Sequence, residues 1–288
     1  MRPSNHALCV MKNPVYIPTC KQGFSHPKCY LAYTKGCSQQ ISGEHYISRA
    51  LLDQIEKQNK TIDITGLSWL PKEQLTSIGK AGLVSNILCA DHNSALSPLD
   101  GTVTMFVKAI EAIDKDFQTE LPGGPATQVD GELLERWILK MTIAMVVSRQ
   151  ILQPSGAPFI VKEKAYTLLC EPEARWPRGW GLYFSLPIGP VHHSSSFEAI
   201  PKHDPSTGAL LEMGLKFNGL AMTFLMGRPG NAAAFGTHRP SVLQFAKGAA
   251  KSEIRFSWGH KAAGSAIQLT HVGMYKGVAP GQDLPRSS

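Results

Sequence analysis

The sequence predicts an α+β fold in three parts: a zinc-stapled N-terminal module, central helices and a C-terminal antiparallel β-rich domain. Three observations predict it. Five of the six cysteines fall within the first 100 residues. Apolar residues recur at helical spacing from Met105 onward. Beyond Cys170 the apolar period shortens to two, the spacing of a strand with one buried face. The expected boundaries are 1–105, 106–170 and 171–288, with a frayed tail from Val278.

Composition limits the class. With 288 residues, 43% of them hydrophobic, the chain can bury a core without disulfides. Charged residues make up 18%, too few for wholesale disorder. Met1 to Val10 shows no long apolar run of the targeting kind. The most apolar helix candidate, Leu133 to Leu152, is interrupted by Glu135, Arg136, Lys140 and Arg149, which excludes a membrane span. The expectation is a cytoplasmic protein with reduced cysteines and no membrane partner. Reduced thiols turn attention to metal binding.

In the N-terminal module, Cys89 and His92 stand three apart at the start of a predicted helix, so both can point at one ion. Cys29 and Cys37 can supply the other half from a hairpin whose tip is Tyr30 to Gly36. Three thiolates and one imidazole satisfy Zn²⁺ in a closed tetrahedral site, which makes the zinc structural. Cys20 is a rival ligand through its Cys20-x8-Cys29 spacing. The plainer alternative makes Cys89 a small buried hydrophobe and His92 a surface residue. On the zinc reading, Cys9, Cys20 and Cys170 are bystanders.

Glu44-His45 precedes an apolar helix with Leu51, Leu52 and Ile55 on one face. Asn93 follows His92 directly, and Asp100 lies two helical turns further on if the helix continues through Pro98. Adjacent carboxylate and imidazole with a distant carboxamide are what phosphodiester hydrolysis needs. The imidazole takes a proton from water. A divalent ion on carboxylate and carboxamide oxygens stabilises the phosphate charge.

In the central region, Met105, Phe106, Ile110, Ile113 and Phe117 mark one helix. Leu133, Leu134, Trp137, Ile138, Met141, Ala144 and Met145 mark a second, starting at Asp130 or Gly131, with Leu121 to Pro125 as the break between them. Glu132, Glu135 and Arg136 read as its solvated face. In the last region, Gly181–Leu186, Leu211–Phe217, Glu253–Trp258 and Ala266–Val272 read as strands. Trp176 and Arg178 interleave an aromatic and a basic group, a pairing suited to nucleic-acid binding by stacking and phosphate contact. The neighbouring Trp180 reads as packing inward.

The order C…C…(S-x-E-H-x-x-S)…(L-C-x-x-H-N-x-x-L-S-x-L-D), spanning roughly residues 25–105, resembles the zinc-stapled branch of the HNH endonucleases with the ββα-metal core. The resemblance implies that His45 is the general base and that Asn93 is the central asparagine of the motif. It implies that Glu44, Asn93 and, more remotely, Asp100 hold a catalytic Mg²⁺ or Mn²⁺. Cys29, Cys37, Cys89 and His92 match the structural zinc ligands. Two departures stand: the second half-site ends in histidine, so His92 could instead belong to the catalytic motif, and the segment Arg49 to Asn86 is long. Leu83 to Leu88 is apolar enough for the second strand of the core.

The formal net charge is +7, and 12 Lys/Arg against 5 Asp/Glu place the basic bias in residues 175–288. That bias suits a polyanion partner or plain solubility. Together these readings describe a metal-dependent nuclease acting on nucleic acid, most readily DNA. The resemblance places it in bacterial or phage genome defence, with a protein partner docked through the β domain as a further expectation. The alternative is a zinc-stapled nucleic-acid-binding or adaptor protein without catalysis.

Overall fold

Residues 15–56, 59–71, 74–119, 124–184, 190–193, 196–217 and 220–274 are described by a computed structural model of the chain. The first part holds strand β1 (Ile41–His45), helix α1 (Arg49–Ile55), β2 (Thr61–Thr65), β3 (Thr76–Gly79) and β4 (Val84–Cys89). The long helix α2 (Ala90–Gln118) leaves β4 without a loop. β1 and β4 form a two-stranded antiparallel pair, with Ile41 opposite Cys89 and His45 opposite Val84. The register shifts between Ser42 and Glu44. Glu44 is thereby buried, while Gly43 before it is exposed.

α2 runs unbroken through Pro98, which settles the open question about Asp100. A proline here removes the N–H that would bond to the Ser94 carbonyl. Ser97 Oγ donates to that same carbonyl at 2.8 Å, so the orphaned acceptor is satisfied locally. Asn93 and Asp100 therefore share one helix, seven residues apart. Helix α3 (Gly131–Val147) follows the short strand β5 (Thr127–Asp130), and Asp130 caps it by accepting from the Leu133 N–H at 3.1 Å. Helix α4 (Glu163–Cys170) closes the central region.

The remaining strands are β6 (Gly181–Phe184), β7 (Pro190–His193), β8 (Ser196–His203), β9 (Leu210–Phe217), β10 (Leu220–Leu225), β11 (Thr237–His238), β12 (Val242–Lys247), β13 (Ala250–Ser257) and β14 (Ile267–Met274). The region is β-rich as expected, and Ile254 and Phe256 face inward with Arg255 and Ser257 outward. Two features correct the expectation of an antiparallel sheet built from residues 171–288 alone. A seven-stranded sheet runs β11-β6-β10-β9-β8-β2-β3 and takes β2 and β3 from the first 105 residues, with β2 parallel to β8. A five-stranded sheet runs β5-β13-β12-β14-β7, and its only antiparallel pair among the described residues is β12 with β13. The segment Arg49 to Asn86 is long because it supplies these two strands. Parallel pairing needs long crossovers, and period-two alternation carries no information on strand direction.

One continuous apolar core joins the regions, from Leu31 and Leu51 through Phe106, Ile110 and Trp137 to Phe224 and Leu243. Phe106 of α2 meets Phe256 of β13 with ring centroids 5.8 Å apart. Val278 and the tail beyond it, Cys9, and the break at Leu121 to Gly123 lie outside the described residues.

Candidate metal centre and the adjoining cleft

Cys29, Cys37, Cys89 and His92 converge, with their ligand atoms all within 4.8 Å of one another. Cys29 and Cys37 flank a 3-10 turn, Ala32–Thr34, and not the expected β-hairpin. Gly36 is required in this turn because a Cβ there would strike the carbonyl of Pro18. Cys89 is the N-cap residue of α2 and His92 lies in its first turn, so one helix start presents both ligands. The His92 ring faces the cysteines: its Nδ1 is 3.4 Å from Cys29 Sγ, 3.6 Å from Cys37 Sγ and 3.1 Å from Cys89 Sγ. A tetrahedral zinc with ordinary Zn–S and Zn–N bonds places nitrogen and sulfur ligands roughly 3.5 Å apart, so the spacing fits.

The ring's other nitrogen fixes the tautomer. Nε2 donates toward Thr34 Oγ1 at 2.9 Å and the Pro18 carbonyl at 3.2 Å, and Thr34 Oγ1 itself donates to the Leu31 carbonyl. Nδ1 is left as the lone-pair side facing the sulfurs, the arrangement a metal-bound histidine needs. Burial holds His92 below its usual range, which keeps the ring neutral. Burial also pushes the Cys29 thiol up to about 12 and raises Cys37. At Cys89 burial acts the same way, but hydrogen bonds from the His92 backbone and Ser38 outweigh it and lower the thiol. Three thiols crowded out of water with one neutral imidazole ionise together only around a cation. The protein therefore contains a buried Cys₃His cluster consistent with structural zinc. Cys20 is exposed and outside it, and Cys170 accepts from the Tyr33 hydroxyl at 3.1 Å.

Beside this cluster lies a cleft of about 350 Å³. It is lined by Glu44, His45, Ser48, Arg49, Asn93 and Asp100, together with Gly43, Ser94 and Ser97. All four residues singled out for acid–base and metal chemistry thus meet in one place. β1 brings Glu44 and His45, α2 brings Asn93 and Asp100, and the metal cluster ties the turn between Cys29 and Cys37 to the start of α2. Asn93 donates its amide nitrogen to Ser42 Oγ at 2.8 Å, so its carbonyl oxygen is the end left for a cation. Burial, then the neighbouring Arg49, hold the His45 imidazole below its usual range, so it is neutral at neutral pH.

Lys140 of α3 is a member of this site that sequence reasoning missed. Its ammonium lies 2.8 Å from Glu44 Oε1 and 2.7 Å from Asp100 Oδ2, and it is 3% exposed. Burial works against the charged lysine, but the two carboxylates outweigh it and raise its pKa. Burial raises Glu44, with Lys140 opposing. The available signal was a lone charge within the apolar run from Trp137 to Val147, where a charge implies a buried partner.

Of the helix face read as solvated, Glu132 is partly exposed but the other two residues are buried. Glu135 is wholly inaccessible and Arg136 nearly so. Glu135 accepts from Arg239 Nε at 2.8 Å, from Arg239 and Lys261 at 3.2 and 3.0 Å, and from the Leu182 N–H at 2.9 Å. Gly181 is obligatory beside it, since its φ is +124° and a Cβ would collide with Glu135 Oε1. Trp176 is partly buried, and its ring is covered by Lys261 at 4.2 Å and Arg239 at 5.5 Å, so it is not an open stacking platform. Arg178 is exposed and Trp180 is buried. Of the basic residues in the last region, Lys202, Arg239, Lys247, Arg255 and Lys261 already bond to protein oxygens.

A larger groove of about 650 Å³ lies elsewhere, between Gly66–Pro71, Ile151–Pro154 and Glu198–Pro201. Glu198 is its one titratable lining residue. No described helix is long and apolar enough to cross a membrane. No family model, curated protein or solved structure matches the chain.

Proposed function

We propose that the chain is a metal-dependent endonuclease of the HNH type that hydrolyses phosphodiester bonds in nucleic acid, with DNA as the first substrate to test. The observation that carries this reading is the convergence of Glu44, His45, Asn93 and Asp100 on one cleft, framed by an antiparallel strand pair running directly into a helix. A strand pair leading into a helix, with the Cys₃His cluster at the helix start, supports the resemblance to the ββα-metal core. The neutral His45 imidazole takes the proton of an attacking water. Arg49, exposed at the cleft, can meet a phosphate oxygen.

The donor set fits a hard divalent cation. Asp100 Oδ1 and Ser48 Oγ are buried oxygens without a hydrogen-bond partner among the described residues, and both residues line the cleft. Glu44, Asn93 and Asp100 would hold Mg²⁺ or Mn²⁺, which when bound supplies positive charge at the scissile phosphate.

Purified protein with Mn²⁺ should nick supercoiled plasmid, and His45→Ala should lower the rate by at least about 10²-fold, the usual contribution of a general base. Zinc content should stay at the wild-type level. Equal nicking by both proteins removes His45 from catalysis. A pH profile gives a second check. Because burial lowers His45, its deprotonated form persists below the ordinary histidine range, and a nearby divalent ion acts in the same direction. The acid limb of kcat/KM should therefore fall below pH ~6.5. A limb above neutrality would assign the base to another group.

A second reading is favoured by one observation. Lys140 already pairs with both carboxylates that a catalytic ion needs. On this reading the protein is a zinc-stapled nucleic-acid-binding or adaptor protein, and salt-dependent DNA binding without Mn²⁺-dependent cleavage would select it.

A further inference from the structure

Lys140 reaches two of the cleft's carboxylates from α3, whereas Glu44 and Asp100 come from β1 and α2. The ammonium joins three elements at one point, with contacts of 2.8 and 2.7 Å. The Asp100 bond is aligned as a hydrogen bond. The Glu44 contact is an ion pair in which Oε1 lacks hydrogen-bonding alignment, so that oxygen stays electrostatically compensated but geometrically unsatisfied. On the same cleft, Asp100 Oδ1 and Ser48 Oγ are also buried without a partner, and Ser48 is 3% exposed. Beside an ammonium already shared by two carboxylates, these oxygens leave acceptor capacity on the cleft lining unfilled.

The geometry points to Lys140 as a resident counter-cation: a positioning residue that holds Glu44 and Asp100 for a divalent ion and sets how tightly that ion binds. This rests on the reading of the cleft as a divalent-ion site. With Lys140 present the three charged groups sum to one negative charge, and without it to two. At the effective dielectric of a protein interior, one unit charge within several ångströms is a large term in ion binding. The wild-type site should thus bind the ion weakly and reversibly. The lysine keeps the carboxylates ordered when the ion is absent, and otherwise a buried Glu44 charge would be left unpaired beside the like charge of Asp100.

The test uses the full chain loaded with zinc and titrated with Mn²⁺, free Mn²⁺ being read by its EPR signal. Lys140→Gln and Lys140→Met should bind Mn²⁺ about tenfold or more tightly than wild type, and Lys140→Arg should stay within about threefold because the charge is kept. A lysine that only packs the core would not produce this dependence on charge. If Lys140→Gln or Lys140→Met is unfolded without Mn²⁺, the added ion must restore its thermal transition, since the ion then replaces the ammonium. Equal affinities across the series, weaker binding in the uncharged variants, or no rescue by Mn²⁺ would overturn the assignment. Absence of Mn²⁺ binding in wild type and every variant would instead overturn the divalent-ion reading itself, and this inference with it.

Discussion

Removal of zinc is expected to unfold the N-terminal part of the protein. Incubation with a strong chelator should release one zinc per chain and abolish the cooperative thermal transition of that part, with loss of circular-dichroism signal. Structural zinc supplies about 10–16 kcal/mol at pH 7 in small zinc-dependent folds. The net stability of a whole domain is only about 5–15 kcal/mol. The surroundings of the cluster explain why nothing else replaces the metal. Cys29, Cys89 and His92 are buried, and they join the turn at Ala32–Thr34 to the start of α2 together with the bonds of His92 to Thr34 and Pro18 and a few hydrogen bonds such as Asp91 N–H to Ser38 Oγ. Without the ion, three thiols regain protons and the Nδ1 lone pair of His92 can accept only one of them. Cys89→Ser should behave like the chelated protein, since a hydroxyl is a poor zinc ligand. Acidification should release the metal as protons compete for the sulfurs, so stability is lost as pH falls. A chelated protein with an unchanged melting temperature and no bound zinc would show that the cluster is ordinary core.

Loss of Glu135 should cost about 3–5 kcal/mol, the usual penalty for removing one partner of a buried ion pair. In Glu135→Ala, the guanidinium of Arg239, the ammonium of Lys261 and the Leu182 N–H lose their acceptor at one position. Urea denaturation should show the loss directly, and the melting temperature should drop by roughly 5–8 °C for a chain of this size. Burial already holds Lys261 below the usual lysine range. Removing Glu135 lowers it further, so the unfolded chain binds more protons than the folded one. The deficit of the variant should therefore shrink as pH rises through the folded-state value and deepen below it. A loss under about 1 kcal/mol would mean that both cations reach water when the glutamate is gone. Glu135 lies on the same helix as Lys140, so α3 carries buried charges both to the C-terminal strands and to the cleft.

Much of the site was legible in the sequence. Cys89 and His92 at one helix start, and Asn93 and Asp100 seven residues apart, are relations within a single element, where spacing fixes geometry. The same holds for Glu44-His45 before α1, and for the Asp130 cap of α3. The four metal ligands were readable because a thiol's chemistry limits what buried cysteines can do in a cluster. Pro98 left α2 undecided, since the compensating Ser97 bond depends on a rotamer. Strand directions were hidden because alternation reports which face is buried and not which neighbour is paired.

The sequence by itself determined the parts: a cysteine- and histidine-bearing strand–helix region, two apolar helices and a strand-rich C-terminal region. Only the tertiary structure decided how they combine. It inserted β2 and β3 into the seven-stranded sheet, buried Glu135 against Arg239 and Lys261, and set Lys140 between Glu44 and Asp100. The physical reason is the same in each case. A charge or a strand edge in a sequence carries no mark of its partner. Burial leaves it unsatisfied until a distant segment supplies the opposite charge or the missing hydrogen bonds, and the closing of the core selects that segment.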